Sequence, residues 1–174
     1  MKDKVEQSFR KGLVNTNLLL AHAKLLTTNS NNSLEFLDKK YLPFYYHLGK
    51  YTDPISVIQV KPKLGLPALC FLQGCSTVES WVVVGNFDRF ISANISQKTK
   101  LEFVEQSNRK YDMAFVSESF DKSDLDLLWS SLKDEGLLVA DYINESTVFF
   151  EFGDIHSRDV IKFDTRYGVG LIQK

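Results

Sequence analysis

The sequence has few cysteines and few histidines, which limits the metal and thiol chemistry that it can support. Its 174 residues include two cysteines, Cys70 and Cys75, and three histidines. A zinc site would need two more ligands, and no Cys or His pair offers them. We therefore expect no metal site and two reduced thiols, Cys70 on the apolar face of a short helix and Cys75 just beyond its end. None of the histidines, His22, His47 and His156, has a serine or cysteine beside it in a recognisable nucleophile pattern.

The chain also lacks a large net charge and long apolar runs. The 21 basic and 22 acidic residues leave a formal net charge of −1, so no overall basic field favours nucleic acid or an anionic membrane. No apolar run approaches the length of a membrane span. The first residues, MKDKVEQSFRKG, are too charged for the apolar centre of a signal peptide. These absences predict a soluble cytoplasmic protein that binds neither membrane nor nucleic acid.

What is present is the composition of an ordinary globular domain. Hydrophobic residues make up 44% and charged residues 25% of the chain, which argues against disorder. The length suits one domain with a substantial core rather than two. We expect a single domain over residues 1–174, with a helical N-terminal segment at 1–50 and an α/β core at 51–174.

The N-terminal segment combines helical periodicity with many aromatic residues. Apolar positions from Asp3 to Leu26 predict one or two amphipathic helices. Leu34 to Lys50 predicts a further helix, in which Pro43 is a break or kink. The aromatic residues from Phe36 to Tyr51 suit a core, an interface or the cap of a substrate pocket. We expect a protein partner, or a second copy of the chain, to bind through this segment.

Apolar runs separated by helical patterns predict the core. Nearly continuous apolar strands are typical of parallel sheets that helices cover on both faces. A helix follows the first strand, and another spans about 121–132. The last two runs have no helical pattern between them, which predicts an antiparallel hairpin at one edge. The predicted strands are SVIQV, SWVVVG, Lys100–Gln106, Tyr111–Ser117, LLVADYI, TVFFEFG and GVGLIQK.

The stretch from Ile55 to Phe87 predicts a strand, a tight loop, a short helix and a second strand. This order is the opening βαβ unit of a nucleotide-binding α/β sheet. Pro67 suits the first turn of the helix, and Gly74 suits its end. Only Lys61 to Leu66 remain to form the turn, and Gly65 alone among them lacks a Cβ. We therefore expect Gly65 to adopt a positive φ or to permit close backbone packing.

This order of elements resembles the class I S-adenosylmethionine-dependent methyltransferases, and among them the small O-methyltransferases. The similarity runs from Leu34 to the C-terminus and is strongest in YDMAFVSESFDKSDLDLLWSSLKDEGLLVADYI, where KDEG takes the place of the family's K-x-G-G turn. The ending GVGLIQK is similar to the family's final strand. The resemblance implies an α/β, Rossmann-like methyltransferase fold: a mostly parallel twisted sheet with helices on both faces, an antiparallel C-terminal edge hairpin and a helical N-terminal extension.

The first cofactor-binding loop of that family has different side chains here. The family's acidic-x-Gly-x-Gly-x-Gly reads QVKPKLG in this chain, so the acid is an amide and only the last glycine is kept. A Cβ in this loop obstructs the approach of the cofactor to the backbone. The two lysines would also repel the cofactor's sulfonium by roughly 1 kcal/mol each.

The later cofactor landmarks are also altered. The acid that ends strand two is Asn86 here, with Asp88 two residues on, and the end of strand four reads SESF where relatives have an acid. After strand five, one acid of an Asp-Asn pair is kept as Asp141, a candidate base or metal ligand. The resemblance places the cofactor cleft at Gln59, Lys61, Lys63, Gly65, Asn86, Asp88 and Glu105.

Two charged groups have a functional and a structural interpretation. Lys61 and Lys63 precede a helix N-terminus, where they suit a phosphate or an acidic partner, or lie solvated on a loop. Asp121, Asp124 and Asp126 look like a metal cluster, but acids at the start of a helix are also favoured by the helix dipole.

Two functions are compatible with these patterns. The kept scaffold and the altered cofactor positions favour a non-catalytic, methyltransferase-like protein that binds no cofactor and acts as a structural or assembly component. The alternative is an active S-adenosylmethionine-dependent methyltransferase on a small hydroxyl or amine substrate. In it, Asp88 or Glu105 would hold the ribose and Asp141 would be a base or metal ligand, since methyl transfer needs chiefly alignment of donor and acceptor.

Overall fold

The computed structural model describes residues 41–62, 65–85, 89–117, 119–165 and 167–174. The helices predicted between Asp3 and Leu26 lie outside this part of the chain. The described elements are α1 (Tyr41–Thr52), β1 (Ser56–Val60), α2 (Leu66–Gly74), β2 (Ser80–Val84), α3 (Arg89–Ser96), β3 (Lys100–Val104), β4 (Tyr111–Val116), α4 (Lys122–Ser131), β5 (Leu132–Asp141), a 3-10 turn (Ile143–Glu145), α5 (Val148–Ile155), β6 (Ile161–Phe163) and β7 (Val169–Gln173).

The described strands form one sheet with the order β3-β2-β1-β4-β5-β7-β6. The pairs from β3 to β5 are parallel. β7 runs antiparallel to both β5 and β6. The predicted architecture is confirmed: a mostly parallel sheet with an antiparallel hairpin at its C-terminal edge.

Side chains of the central strands alternate between two layers of helices. In β1, Val57 belongs to a buried cluster with α1 and α2, and Ile58 belongs to a second cluster with α4 and α5. Because helices cover both faces, most positions of these strands are apolar, and the period-2 alternation of a half-exposed strand is absent.

The prediction that TVFFEFG is a strand is wrong. Residues Val148–Ile155 form helix α5, in which Phe149 and Phe152 are fully buried. These two rings are three residues apart, so they lie on one face of a helix and pack into the α4 layer. A short apolar run suits a buried helix as well as a buried strand. The first strand of the edge hairpin is β6, within the charged connection.

Two smaller expectations concern Pro43 and the cysteines. Helix α1 continues through Pro43, its third residue, without a break. Both cysteines are free thiols and both are buried, and burial raises the pKa of Cys70 to about 12. In the described residues, no helix is both long enough and apolar enough to span a membrane.

The turn between β1 and α2 has the predicted geometry. Gly65 is the N-cap of α2 with φ +69°, and Pro67 lies in the first turn. The Gly65 N–H donates to the Pro62 carbonyl at 2.9 Å, which closes the turn. A left-handed residue is needed here because the chain must reverse direction from strand to helix within a few residues.

We predict that Gly65→Val lowers the free energy of unfolding by about 1–3 kcal/mol, because valine is strained at a left-handed φ. Urea denaturation measures the change. The matched control is Gln73→Val, an exposed position of α2, where valine costs less than about 0.7 kcal/mol through helix propensity. An unchanged midpoint for Gly65→Val would mean that the turn does not require glycine.

Asp112 ties together the amino-terminal ends of three strands. Its Oδ2 accepts from the Ser56 N–H and Oγ, both at 2.8 Å, and from the Ile55 N–H at 3.1 Å. Its Oδ1 accepts from Lys133 Nζ at 2.7 Å. Desolvation raises the pKa of Asp112, but the hydrogen bonds from Lys133 and Ser56 outweigh it and hold the pKa below its ordinary value.

We predict that Asp112→Asn lowers the free energy of unfolding by roughly 1–3 kcal/mol at pH 7. Because the pKa is lower in the folded state, the stabilisation is present above the unfolded pKa of about 3.9 and is lost as the pH falls through the folded value. Acid titration of stability should therefore be shallower in the variant than in the wild type. Asp126→Asn, which breaks an exposed pair with Lys122, should leave the profile unchanged. Equal profiles for wild type and Asp112→Asn would contradict the assignment.

Candidate functional site

The carboxyl-terminal ends of the parallel strands define the candidate site. In open α/β sheets, ligands bind at this edge, where the strand order reverses. Here β1 lies between β2 and β4 in the centre of the sheet. The sequence-predicted residues that are described at this edge are Gln59, Lys61, Gly65, Glu105 and Asp141; Lys63, Asn86 and Asp88 lie outside the described residues.

Gln59 is buried and hydrogen-bonded within the sheet. Its side chain is 1% exposed, and its Oε1 accepts from Trp81 Nε1 at 3.2 Å. Trp81 lies on β2, and its ring stacks on Phe115 of β4 with 5.4 Å between centroids. A buried indole N–H requires an acceptor. The Gln59 amide therefore supports the core.

Lys61 is the first residue after β1 and adopts φ +49°. Its Nζ donates to Asp124 Oδ2 at 2.6 Å and to the Ser119 carbonyl at 3.2 Å. These contacts connect the β1–α2 turn to the start of α4. Lys61 is exposed, with 44% of its side chain accessible, so it is a solvated loop lysine whose charge is paired in a surface ion pair.

Asp141 ends β5 and is 1% exposed. Its Oδ1 accepts from the hydroxyl of Tyr45 in α1, and its Oδ2 accepts from Ser117 Oγ at 3.1 Å. Ser117 directly follows β4, so α1, β4 and β5 meet at this carboxyl group. The cluster of Tyr45, Ser117 and Asp141 is buried on the α1 side of the sheet.

Glu105 is not near Asp141. It follows β3, the outermost parallel strand, and is exposed. β3 and β5 are separated by four strand spacings, which is about 19 Å at ~4.8 Å per spacing. The structure therefore brings Lys61 and Asp141 to the central part of the edge and leaves Glu105 at its margin.

Asp121, Asp124 and Asp126 were considered either as a metal cluster or as acids that stabilise the start of a helix, and their contacts support the second interpretation. Asp121 is the N-cap, and Asp121 and Asp124 form a reciprocal capping box. Hydrogen bonds from the Ser123 hydroxyl and from the Asp124 N–H lower the pKa of Asp121. Asp126 pairs with Lys122 one turn away. No group of three or more His, Cys, Asp or Glu side chains suited to a metal ion occurs among the described residues.

Of the histidines, His47 is buried in α1 between Tyr46 and Tyr51. Burial, and secondarily the nearby Lys50, lowers its pKa. His156 packs on Phe152 and Trp129. His22 lies outside the described residues. The two described rings therefore pack among aromatic side chains.

Sequence reasoning missed two residues of this site, Tyr45 and Trp81. Tyr45 is 96 residues from Asp141 along the chain, and Trp81 is 22 residues from Gln59. Neither pairing follows a helical or strand period, so no local pattern indicates it. The one signal was chemical: a buried tryptophan and a buried tyrosine each need a polar partner.

Comparison with solved structures shows which fold these elements form. A methyltransferase from Geobacter sulfurreducens superposes with a TM-score of 0.71 at 16% identity, covering 97% of this chain and 96% of that one. The Bacillus cereus O-methyltransferase in complex with SAH gives 0.67 at 10% identity, covering 98% and 97%. TomG from Streptomyces achromogenes in complex with SAM gives 0.64 at 10% identity, covering 99% and 95%.

These similarities extend over nearly the whole chain, so the protein has the fold of the class I SAM-dependent methyltransferases. In sequence, no family profile matches the chain, and no curated protein does so. At 10–16% identity the likeness concerns the fold alone.

We predict that Tyr45→Phe lowers the free energy of unfolding by roughly 1–3 kcal/mol, because it removes a hydrogen bond to a buried carboxyl group. Thermal and urea denaturation measure the loss. Tyr46→Phe, at a half-buried neighbouring position of α1, is the control and should change stability by no more than about 0.5 kcal/mol. Equal effects of the two substitutions would mean that the Tyr45 hydroxyl does not support Asp141.

Proposed function

We propose that this chain is a methyltransferase-fold protein that does not bind S-adenosylmethionine in the ordinary way and acts by binding a partner. One observation carries the proposal. Three described side chains at the cofactor positions, those of Gln59, Lys61 and Asp141, are each engaged by other groups of the chain. A cofactor would have to displace these internal contacts.

The turn after β1 is the strongest argument. A cofactor packed on this turn needs backbone without side chains, and Lys61 places a Cβ there. Its ammonium is paired with Asp124, so repulsion of a sulfonium is weaker than the roughly 1 kcal/mol of an unpaired lysine. The obstacle is therefore mainly steric, and it is held in place by the contacts with Asp124 and Ser119.

The contacts of Asp141, at the carboxyl-terminal end of β5, support the same conclusion. A general base must reach the proton that it removes, and a metal ligand needs free lone pairs directed at the ion. Tyr45 and Ser117 already donate to the two oxygens of Asp141. Each oxygen keeps a second lone pair, but Asp141 is 1% exposed, so a role in catalysis would require the Tyr45 side chain or α1 to move and open access to it.

The partner surface in this proposal includes α1 and the residues before it. Within α1, Phe44 and Tyr45 are buried in the core, so they position the helix rather than contact a partner. Tyr46 and Tyr51 are half-buried and Lys50 is exposed. These three side chains offer the described part of a protein-binding surface. A cytoplasmic location remains part of the proposal.

We predict no heat of binding when S-adenosylmethionine is titrated into the wild-type protein up to millimolar concentration in a calorimeter. Lys61→Gly/Lys63→Gly should still show no methyl transfer, because Gln59 and Asp141 keep their internal partners. Lys122→Ala is the control, since it breaks a comparable exposed pair on α4. Micromolar affinity in the wild type would contradict the proposal, and strong binding gained by the double-glycine variant alone would show that the lysines were the main block.

An active methyltransferase is the second candidate. It is favoured by the left-handed Gly65 at the N-terminus of α2, which keeps the last turn glycine, and by the neighbours solved with SAM or SAH. Its substrate would be a small hydroxyl or amine compound. Transfer of a labelled methyl group to any such acceptor by the wild type, and its loss in Asp141→Asn, would support this candidate over the first.

A further inference from the structure

A cavity of about 580 Å³ lies at the edge of the sheet opposite the candidate site. It is formed by the chain entering β1, the amino-terminal parts of β4 and β5, and the end of β7. Its volume is within the range of small-molecule sites, about 300–1,000 Å³. None of the described cofactor positions lines this cavity, and the described part of the proposed partner surface shares only Tyr51 with it.

An irregularity of β5 creates the space. Tyr111 pairs with Leu132, and the next pair joins Met113 to Leu137. β4 thus advances two residues while β5 advances five, and the residues between Leu132 and Leu137 bulge out of the ladder. Gly136 closes the bulge, because a Cβ there would lie 2.9 Å from the Lys133 carbonyl oxygen.

The charges around the cavity are predominantly negative. Four acids, Asp53, Asp112, Asp134 and Glu135, and one base, Lys133, line it, which leaves a balance of −3. Lys133 is already paired with Asp112. The carboxylates of Asp53, Asp134 and Glu135 are exposed at the rim, so they are available to a cation from solvent.

The floor of the cavity is apolar. Met113 and Leu137 are buried beneath it. Ile55 also lines the cavity and is 53% exposed, one of few large aliphatic side chains left in solvent among the described residues. An exposed apolar surface beside a charged rim marks a ligand that has both an apolar body and charged groups.

The backbone of Glu135, a residue of the β5 bulge, is left-handed. It adopts φ +64°, at a position where the K-x-G-G turn of the resembling family has glycine. A non-glycine residue is strained in this region of backbone conformation. The chain therefore keeps a carboxylate at the rim where glycine would fit with less strain.

We propose that this cavity binds a small organic polycation of the polyamine class, with methylene segments on Ile55, Met113 and Leu137 and ammonium groups at Asp53, Asp134 and Glu135. An inorganic divalent cation would satisfy the charge but not the apolar floor. A neutral aliphatic compound would satisfy the floor but not the charge. Only a compound with both methylene segments and cationic groups matches the apolar floor and the acidic rim.

The experiment is calorimetric titration of the full chain, at low salt, with spermidine, with Mg²⁺ and with octane-1,8-diol. We expect spermidine to bind at least tenfold more tightly than either of the other probes, and its affinity to fall with added salt. Absence of spermidine binding, or equal affinity for Mg²⁺, would overturn the proposal.

Variants then locate the site. Asp134→Asn/Glu135→Gln should weaken spermidine binding at least tenfold, while Glu145→Gln/Asp159→Asn, which removes two exposed carboxylates outside the cavity, should change it less than twofold. Asp53→Asn, on the opposite wall, provides a second test if the first variant unfolds. Equal weakening by the cavity and control variants would mean that spermidine binds by net charge alone.

Discussion

The packing of three aromatic rings around Phe115 is the constraint on which the rest of the candidate site depends. Phe115 of β4 stacks on Trp81 of β2, meets Phe71 of α2 edge to face at 5.3 Å, and contacts Tyr45 of α1 at 6.0 Å. Such pairs contribute about 0.5–1.5 kcal/mol each beyond the burial of their surface. The cluster thereby fixes two helices on one face of the sheet.

Two polar contacts at the carboxyl-terminal edge follow from this packing. Trp81 can bury its indole only where its N–H finds Gln59, and Tyr45 is held where its hydroxyl reaches Asp141. Gln59 and Asp141 at this edge therefore also support the core. The fold is that of a methyltransferase, and a fold by itself leaves the function to the residues of the site.

Much of the fold could be predicted from the sequence because parallel strands buried on both faces produce distinctive apolar runs. SVIQV and YDMAFV are such strands, and the turn at Gly65 follows from the few residues available between strand and helix. TVFFEFG was predicted incorrectly as a strand because a short, mostly apolar run does not distinguish a buried helix from a buried strand.

The site was less predictable than the fold. Which residues stand at the carboxyl-terminal edge could be derived, as for Lys61 and Asp141, because strand ends fix their positions. What these side chains contact could not, because Asp124, Tyr45 and Trp81 come from elements distant in the chain. Tertiary packing brings those groups together, and no periodicity in the sequence predicts these contacts.

The most direct test of the central claim uses the two tryptophans of the chain. In a ¹⁵N-labelled sample, the indole N–H signal of Trp81 reports on its hydrogen bond to Gln59, and that of Trp129, which packs on Phe152 in the opposite layer, is an internal control. A Trp129→Phe variant assigns the two signals. On addition of millimolar S-adenosylmethionine, we expect neither signal to move. A shift of the Trp81 signal at a constant Trp129 signal would show that the cofactor enters the edge and would contradict the account.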